Sequence, residues 1–113
     1  MADSEAEYEA RAFPELRALV EALDAIDDAR LEAELSSDIL TLEFADGTKY
    51  VVNSHRAARQ IWMAAERTAW HFDWDEAQKG WLAKKSGDEL WAALTRVTAN
   101  KLGKPLTLAR SAG

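Results

Sequence analysis

Between Leu31 and Trp74 apolar side chains return at every second position, and this alternation constrains the fold more than any other feature of the chain. In "RLEAEL", Leu31, Ala33 and Leu35 share one face while Arg30, Glu32 and Glu34 share the other; in "DILTLEF", Leu40, Leu42 and Phe44 oppose Thr41 and Glu43. A period of two is that of a half-buried β-strand. Asp46-Gly47 then predicts a hairpin through a type I′ turn, because glycine accepts the positive φ, with "KYVVN" as the returning strand. "RQIWMAA", "WHFDW" and "GWLAKK" read as fourth, fifth and sixth strands, with "DEAQKG" as a connecting turn. The pattern predicts a six-stranded antiparallel meander.

Helical spacing flanks the alternating region. Leu16, Leu19, Val20, Leu23 and Ile26 recur at steps of three and four. Pro14 is compatible either with a helix that starts there or with a kink in one that begins earlier and passes through Tyr8. Winding the helix at 100° per residue puts Glu21, Asp24 and Asp28 on one arc, away from the leucines. At the other end, Ser86 with Glu89 predicts a capping box for a second helix carrying Leu90, Trp91, Leu94, Val97 and Leu102, with Gly103 and Pro105 as its stop. "PLTL" is expected to lie in a groove between the helices. The fold class is therefore α+β: a two-layer sandwich, two terminal helices on one face of the sheet, the other face open to water. A chain of 113 residues makes one domain, 1–113, with residues 1–12 and 109–113 expected to be disordered.

Composition removes several function classes. Without cysteine the chain forms no disulfide and holds no thiolate-bound zinc or iron–sulfur cluster, so any metal must sit on oxygen or imidazole. No apolar run reaches the roughly 18 residues of a membrane helix, and the acidic start resembles no targeting signal, so the chain reads as cytoplasmic. Residues 1–46 carry 14 acids and 3 bases, whereas residues 47–113 carry 6 acids and 11 bases. So acidic a first half repels phosphates and attracts cations or a basic protein surface; nucleic acid is excluded as its partner.

The candidate site residues divide into two groups. Trp62 falls beside Gln60 on the open face, where it is either a packed cross-strand neighbour or a partner-binding anchor. Trp70, Phe72, Trp74 and Trp81 are assigned to packing, and His55 and His71 to the solvated face. Glu21, Asp24, Asp27, Asp28, Glu32 and Glu34 form the second group. A charge run of this kind marks either a solvated face and a protected sheet edge or a site for hard cations such as Mg²⁺, Ca²⁺ or iron. Acidic residues near a helix C-terminus oppose its dipole, a cost without structural return.

These residues together resemble a known family. The hairpin "LTLEFADGTKYVVN", the stretch from "QIWMAA" through "WHFDW", and "SGDELWAAL" are similar to the corresponding segments of bacterial frataxins of the CyaY type, from about Leu16 to Leu102. The resemblance implies weak binding of iron, Fe²⁺ or Fe³⁺, with other divalent cations as competitors, on an acidic ridge. By position the ridge comprises Asp24, Asp27, Asp28, Glu32 and Glu34, with Glu21 added from the helical wheel. It also implies contact of Asn53, Gln60 and Trp62 with the cysteine desulfurase and the scaffold protein of iron–sulfur cluster assembly. The expected role is a regulator or adaptor that is not an enzyme, monomeric, and without a membrane or nucleic-acid partner. The alternative is a ferroxidase or iron store that oligomerises with iron. Trp74 has no assigned counterpart in the family pattern.

Overall fold

The structure, a computed structural model, describes residues 4–110. Helix α1 (Glu5–Asp24) is followed by strands β1 (Leu31–Ser36), β2 (Ile39–Phe44), β3 (Lys49–His55), β4 (Gln60–Ala65), β5 (Thr68–Asp75) and β6 (Gly80–Leu82), and then by helix α2 (Leu90–Leu102). The six strands form one antiparallel sheet in chain order, so β1 and β6 are its edges. The expected layering and meander are both present.

Helix α1 starts well before Pro14. Ser4 caps it, its hydroxyl accepting from the Glu7 N–H at 3.1 Å, and Pro14 sits inside the helix, which there forgoes one intrahelical hydrogen bond. Residues 5–12, expected to be disordered, are thus its first turns, and Tyr8 and Ala12 are buried with Leu16, Leu19 and Leu23. Residues 1–3 and 111–113 lie outside the described residues. The helix ends at Asp24 with Ala25 as its cap, so Asp27 and Asp28 belong to the loop that follows and not to the helical arc expected for Asp28. Asp27 has a φ of 53°, incompatible with a continuing right-handed helix.

One turn differs from expectation, and another takes the form expected of a two-residue hairpin loop. The Asp46-Gly47 hairpin closes with Phe44 N–H on the Thr48 carbonyl (2.9 Å) and Gly47 N–H on the Phe44 carbonyl (2.8 Å), leaving a three-residue loop in which only Gly47 has positive φ, 89°. It is therefore not type I′. The β4–β5 connection is the two-residue turn, with Glu66 and Arg67 at φ 53° and 62°, and it contains no glycine. The sixth strand stops at Leu82, three residues short of its expected end.

Helix α2 is capped by Glu89 itself, whose carboxylate accepts from Trp91 N–H (2.9 Å) and Ala92 N–H (3.1 Å); Ser86 instead accepts from Asp88 N–H in the preceding turn. Gly103 ends the helix at φ 70°. Beyond it Leu106 is partly buried, Leu108 is buried, and Arg110 reaches Glu15 of α1 while lying over Trp91 of α2. The tail does lie between the helices.

The core sits between helices and sheet. Leu40, Leu42, Val52, Ile61, Met63, Phe72 and Trp81 supply the sheet side, each buried, and their odd or even neighbours form the open face. Trp70 is buried and Trp74 partly so, packed edge-on against Trp81 with Arg11 over its ring.

Candidate cation groove and open sheet face

The acidic residues meet where α1, the loop after it and the first two strands converge. Asp24, Asp27, Asp28, Glu32 and Glu43 line an open groove of about 730 Å³, together with Arg30. Glu32 and Glu43 are direct partners in the β1–β2 register. Like charges directly opposite destabilise a sheet, so this pair carries a local cost. A neighbouring hollow of about 630 Å³ takes in Glu32, Glu34, Glu43 and Lys49, the cross-strand partner of Glu43.

Not all six expected ligands are placed alike. Asp24, Asp27 and Glu32 are exposed on the groove, and Glu34 follows on the edge strand. Glu21 is exposed on α1 but outside the groove lining. Asp28 is engaged: its side chain, only 8% exposed, receives Arg30 Nη2 at 2.8 Å, Arg30 Nε at 3.1 Å, the Arg30 backbone N–H at 2.9 Å and Lys104 Nζ at 2.9 Å. The Arg30 guanidinium, then Lys104, then the Arg30 backbone N–H hold its carboxyl well below the usual carboxylate range. Glu43, not in the expected set, belongs to the groove; its place on the polar face of "DILTLEF" was the available signal, but only the β1–β2 register sets it opposite Glu32.

Among the described residues no three acidic or imidazole side chains converge to hold a metal ion. The groove therefore offers a diffuse negative field with separated oxygen donors. Such a surface suits loosely held hard cations or a basic protein surface.

The open face holds the other expected residues. Asn53, Trp62 and His71 lie in one cross-strand row, which β2 extends with Ile39, 47% exposed. Asn53 donates to the Ser54 carbonyl at 2.9 Å. Trp62 Nε1 donates to Gln60 Oε1 at 2.8 Å, and Gln60 Nε2 to Asp73 Oδ1 at 3.1 Å. Trp62 has aromatic neighbours on both sides: His55 and His71 stack against its two faces, so neither histidine is merely solvated. Behind this face, the buried Tyr8 hydroxyl joins α1 to the β3 and β4 strands.

Comparison with known proteins decides the family. The frataxin-like domain family matches residues 1–104. The chain belongs to the frataxin-like family. This frataxin-like chain is 37% identical to the iron-sulfur cluster assembly protein CyaY of Paraburkholderia phymatum, over 94% of its own length and 98% of the relative's. It is 39% identical to the protein of the same name from Stutzerimonas stutzeri, over 74% and 77%. Among solved structures, a frataxin from Psychromonas ingrahamii superposes with a TM-score of 0.85 over 96% of this chain and all of that one, at 21% identity, a likeness of fold. Yeast frataxin superposes with a TM-score of 0.69 at 25% identity, covering 86% of this chain and 81% of that one. Among the described residues of this frataxin-like chain, no helix is long and apolar enough to cross a membrane.

Proposed function

We propose that this frataxin-like protein is an adaptor of iron–sulfur cluster assembly that carries iron weakly and does no chemistry of its own. The reading rests on near full-length similarity to proteins named for that assembly, joined to a groove lined by exposed carboxylates. Iron, as cargo, is attracted by Asp24, Asp27, Glu32, Glu34 and Glu43 and stays exchangeable, because separated carboxylates on an exposed surface hold a cation without fully desolvating it. The same field steers a basic face of the cysteine desulfurase, while Asn53, Gln60 and Trp62 contact the scaffold protein. On this reading the protein works in the cytoplasm.

The test is an amide NMR titration of the purified protein with anaerobic Fe²⁺, followed by the cysteine desulfurase and then by the scaffold protein. Broadening confined to residues 21–34 and 43, with partner-induced shifts there and around Trp62, is the expected result. Amides in those segments that ignore iron would remove the metal from the function. Charge reversal at Asp24 and Asp27 together is expected to weaken desulfurase binding at least tenfold at low salt; unchanged affinity would remove the groove from that contact.

A further inference from the structure

The acidic groove leaves the two histidines of the open face unexplained. His55 stacks on one face of the Trp62 indole at 3.8 Å between ring centroids and 12° between planes; His71 stacks on the other at 4.2 Å and 16°. The three rings come from three strands. His71 lies directly opposite Trp62, while His55 pairs with Gln60 and reaches Trp62 diagonally. The arrangement is fixed from outside. Gln60 holds the indole N–H, Asp73 holds Gln60, and the His55 backbone N–H donates to the buried Tyr8 hydroxyl at 2.9 Å.

One contact in this assembly depends on a proton. The Ala58 N–H is aimed at His55 Nδ1 at 3.3 Å, which positions Nδ1 as the acceptor of this contact. In an imidazolium both ring nitrogens are donors, and the Ala58 N–H then faces another N–H. We propose that His55, Trp62 and His71 form a proton-operated switch on the open face. Uptake of one proton from solvent at His55 Nδ1 ends the Ala58 hydrogen bond, releases the Ala58 amide within a turn that Arg59 still holds to the Arg56 carbonyl, and converts neutral ring stacking on Trp62 into a cation–π contact. His71 adds a second charge on the opposite face of the same indole.

The surrounding charges are few. The β3–β4 turn carries Arg56, which is paired with Glu5 and Glu9 of α1, and Arg59, whose guanidinium donates to the Arg56 carbonyl. Strand β5 contributes Asp73 and Asp75; β4 and β6 bring no titratable group to this face. Glu43 of β2 and Lys49 of β3 are paired at the far end of the sheet, and Asp38 of the β1–β2 turn accepts from the Ser54 hydroxyl.

The experiment is an NMR pH titration from 8.5 to 5 of the wild type, His55→Gln and His71→Gln. It follows the imidazole ¹⁵N shifts, the Trp62 indole N–H and the Ala58 amide. In the wild type the Ala58 amide and the Trp62 indole are expected to move with the His55 inflection, and protection of the Ala58 amide to fall about fivefold, the loss of one hydrogen bond. His55→Gln should silence Ala58 but leave the Trp62 response to His71; His71→Gln should do the reverse for Trp62. An Ala58 amide and an indole that stay flat across this range overturn the switch, as do responses that survive in both variants. If His55→Gln fails to fold, the wild type alone decides. A His55 Nδ1 that is protonated in the neutral ring overturns the proposal, and an acceptor Nδ1 that gains its proton as Ala58 shifts supports it.

Discussion

The Tyr8 hydroxyl donates to the Gln60 carbonyl at 2.6 Å, across 52 positions of sequence, and accepts from the His55 N–H at 2.9 Å. A side chain from the first helix thereby completes the end of the β3–β4 ladder. Burial pushes the phenol up, which keeps it in the donating form at all ordinary pH. Tyr8→Phe preserves the edge-on packing against Trp81 but leaves two backbone groups without their partner. The expected loss is about 2 kcal/mol in urea unfolding. A change under 0.5 kcal/mol, roughly the scatter of a neutral substitution, would mean that water replaces the hydroxyl.

The tail makes a comparable link between the helices. Glu15 is 4% exposed; its carboxylate accepts from Trp91 Nε1 at 2.6 Å and pairs with Arg110. Because Arg110 is itself half exposed, Arg110→Ala should cost only about 1 kcal/mol. Deleting residues 106–113 also uncovers Leu106 and Leu108 and should cost about 3 kcal/mol or more. Equal midpoints for the two variants would show that the leucines contribute nothing.

Asp28 gives a pH signature with a defined sign. Its folded carboxyl is held below the unfolded value of about 3.9, so its contribution is complete above that pH and disappears as pH falls through the depressed value. Asp28→Asn should lower the urea midpoint at pH 7, and the gap to the wild type should narrow steadily below pH 4. Asp46, held down by Lys101 at 2.6 Å, should behave in the same way. Parallel pH profiles for wild type and Asp28→Asn would contradict this assignment.

The β4–β5 turn can be improved. Arg67 sits at φ 62° without the glycine that such a turn favours. Arg67→Gly should stabilise the protein by about 0.5–1 kcal/mol, read as a higher thermal midpoint. A lower midpoint would show that the arginine side chain holds the turn more strongly than its backbone strain opposes it.

The sequence made the meander legible because alternation follows directly from burying one face of a sheet: Leu40, Leu42, Ile61, Met63 and Phe72 all lie where period two puts them. The second helix was legible through its stripe, though its cap was misassigned by three residues, since Ser86 and Glu89 are both competent acceptors. Ser4 and Glu7 also form a capping pair, and the acidic run around them obscured the true start of α1. Turn geometry was least legible. Two left-handed residues fell on Glu66-Arg67, where strand register overrode local preference, and not on Asp46-Gly47. For the candidate site, Asp24, Asp27 and Glu32 were readable as a cluster. The pairing of Asp28 with Lys104 joins distant segments that no local pattern connects, and that of Glu32 with Glu43 depends on the exact β1–β2 register.

Arg30 and Lys104 already occupy the Asp28 carboxylate, so a cation bound at this end of the groove would enter by exchange and not into an empty receptacle. A cation or a basic side chain arriving there would have to displace an ammonium or guanidinium group of the protein itself. What leaves is tethered to the end of α2 on one side and to the start of β1 on the other. Any binding at Asp28 would thus be a contest against two fixed internal competitors whose effective concentration dilution cannot lower.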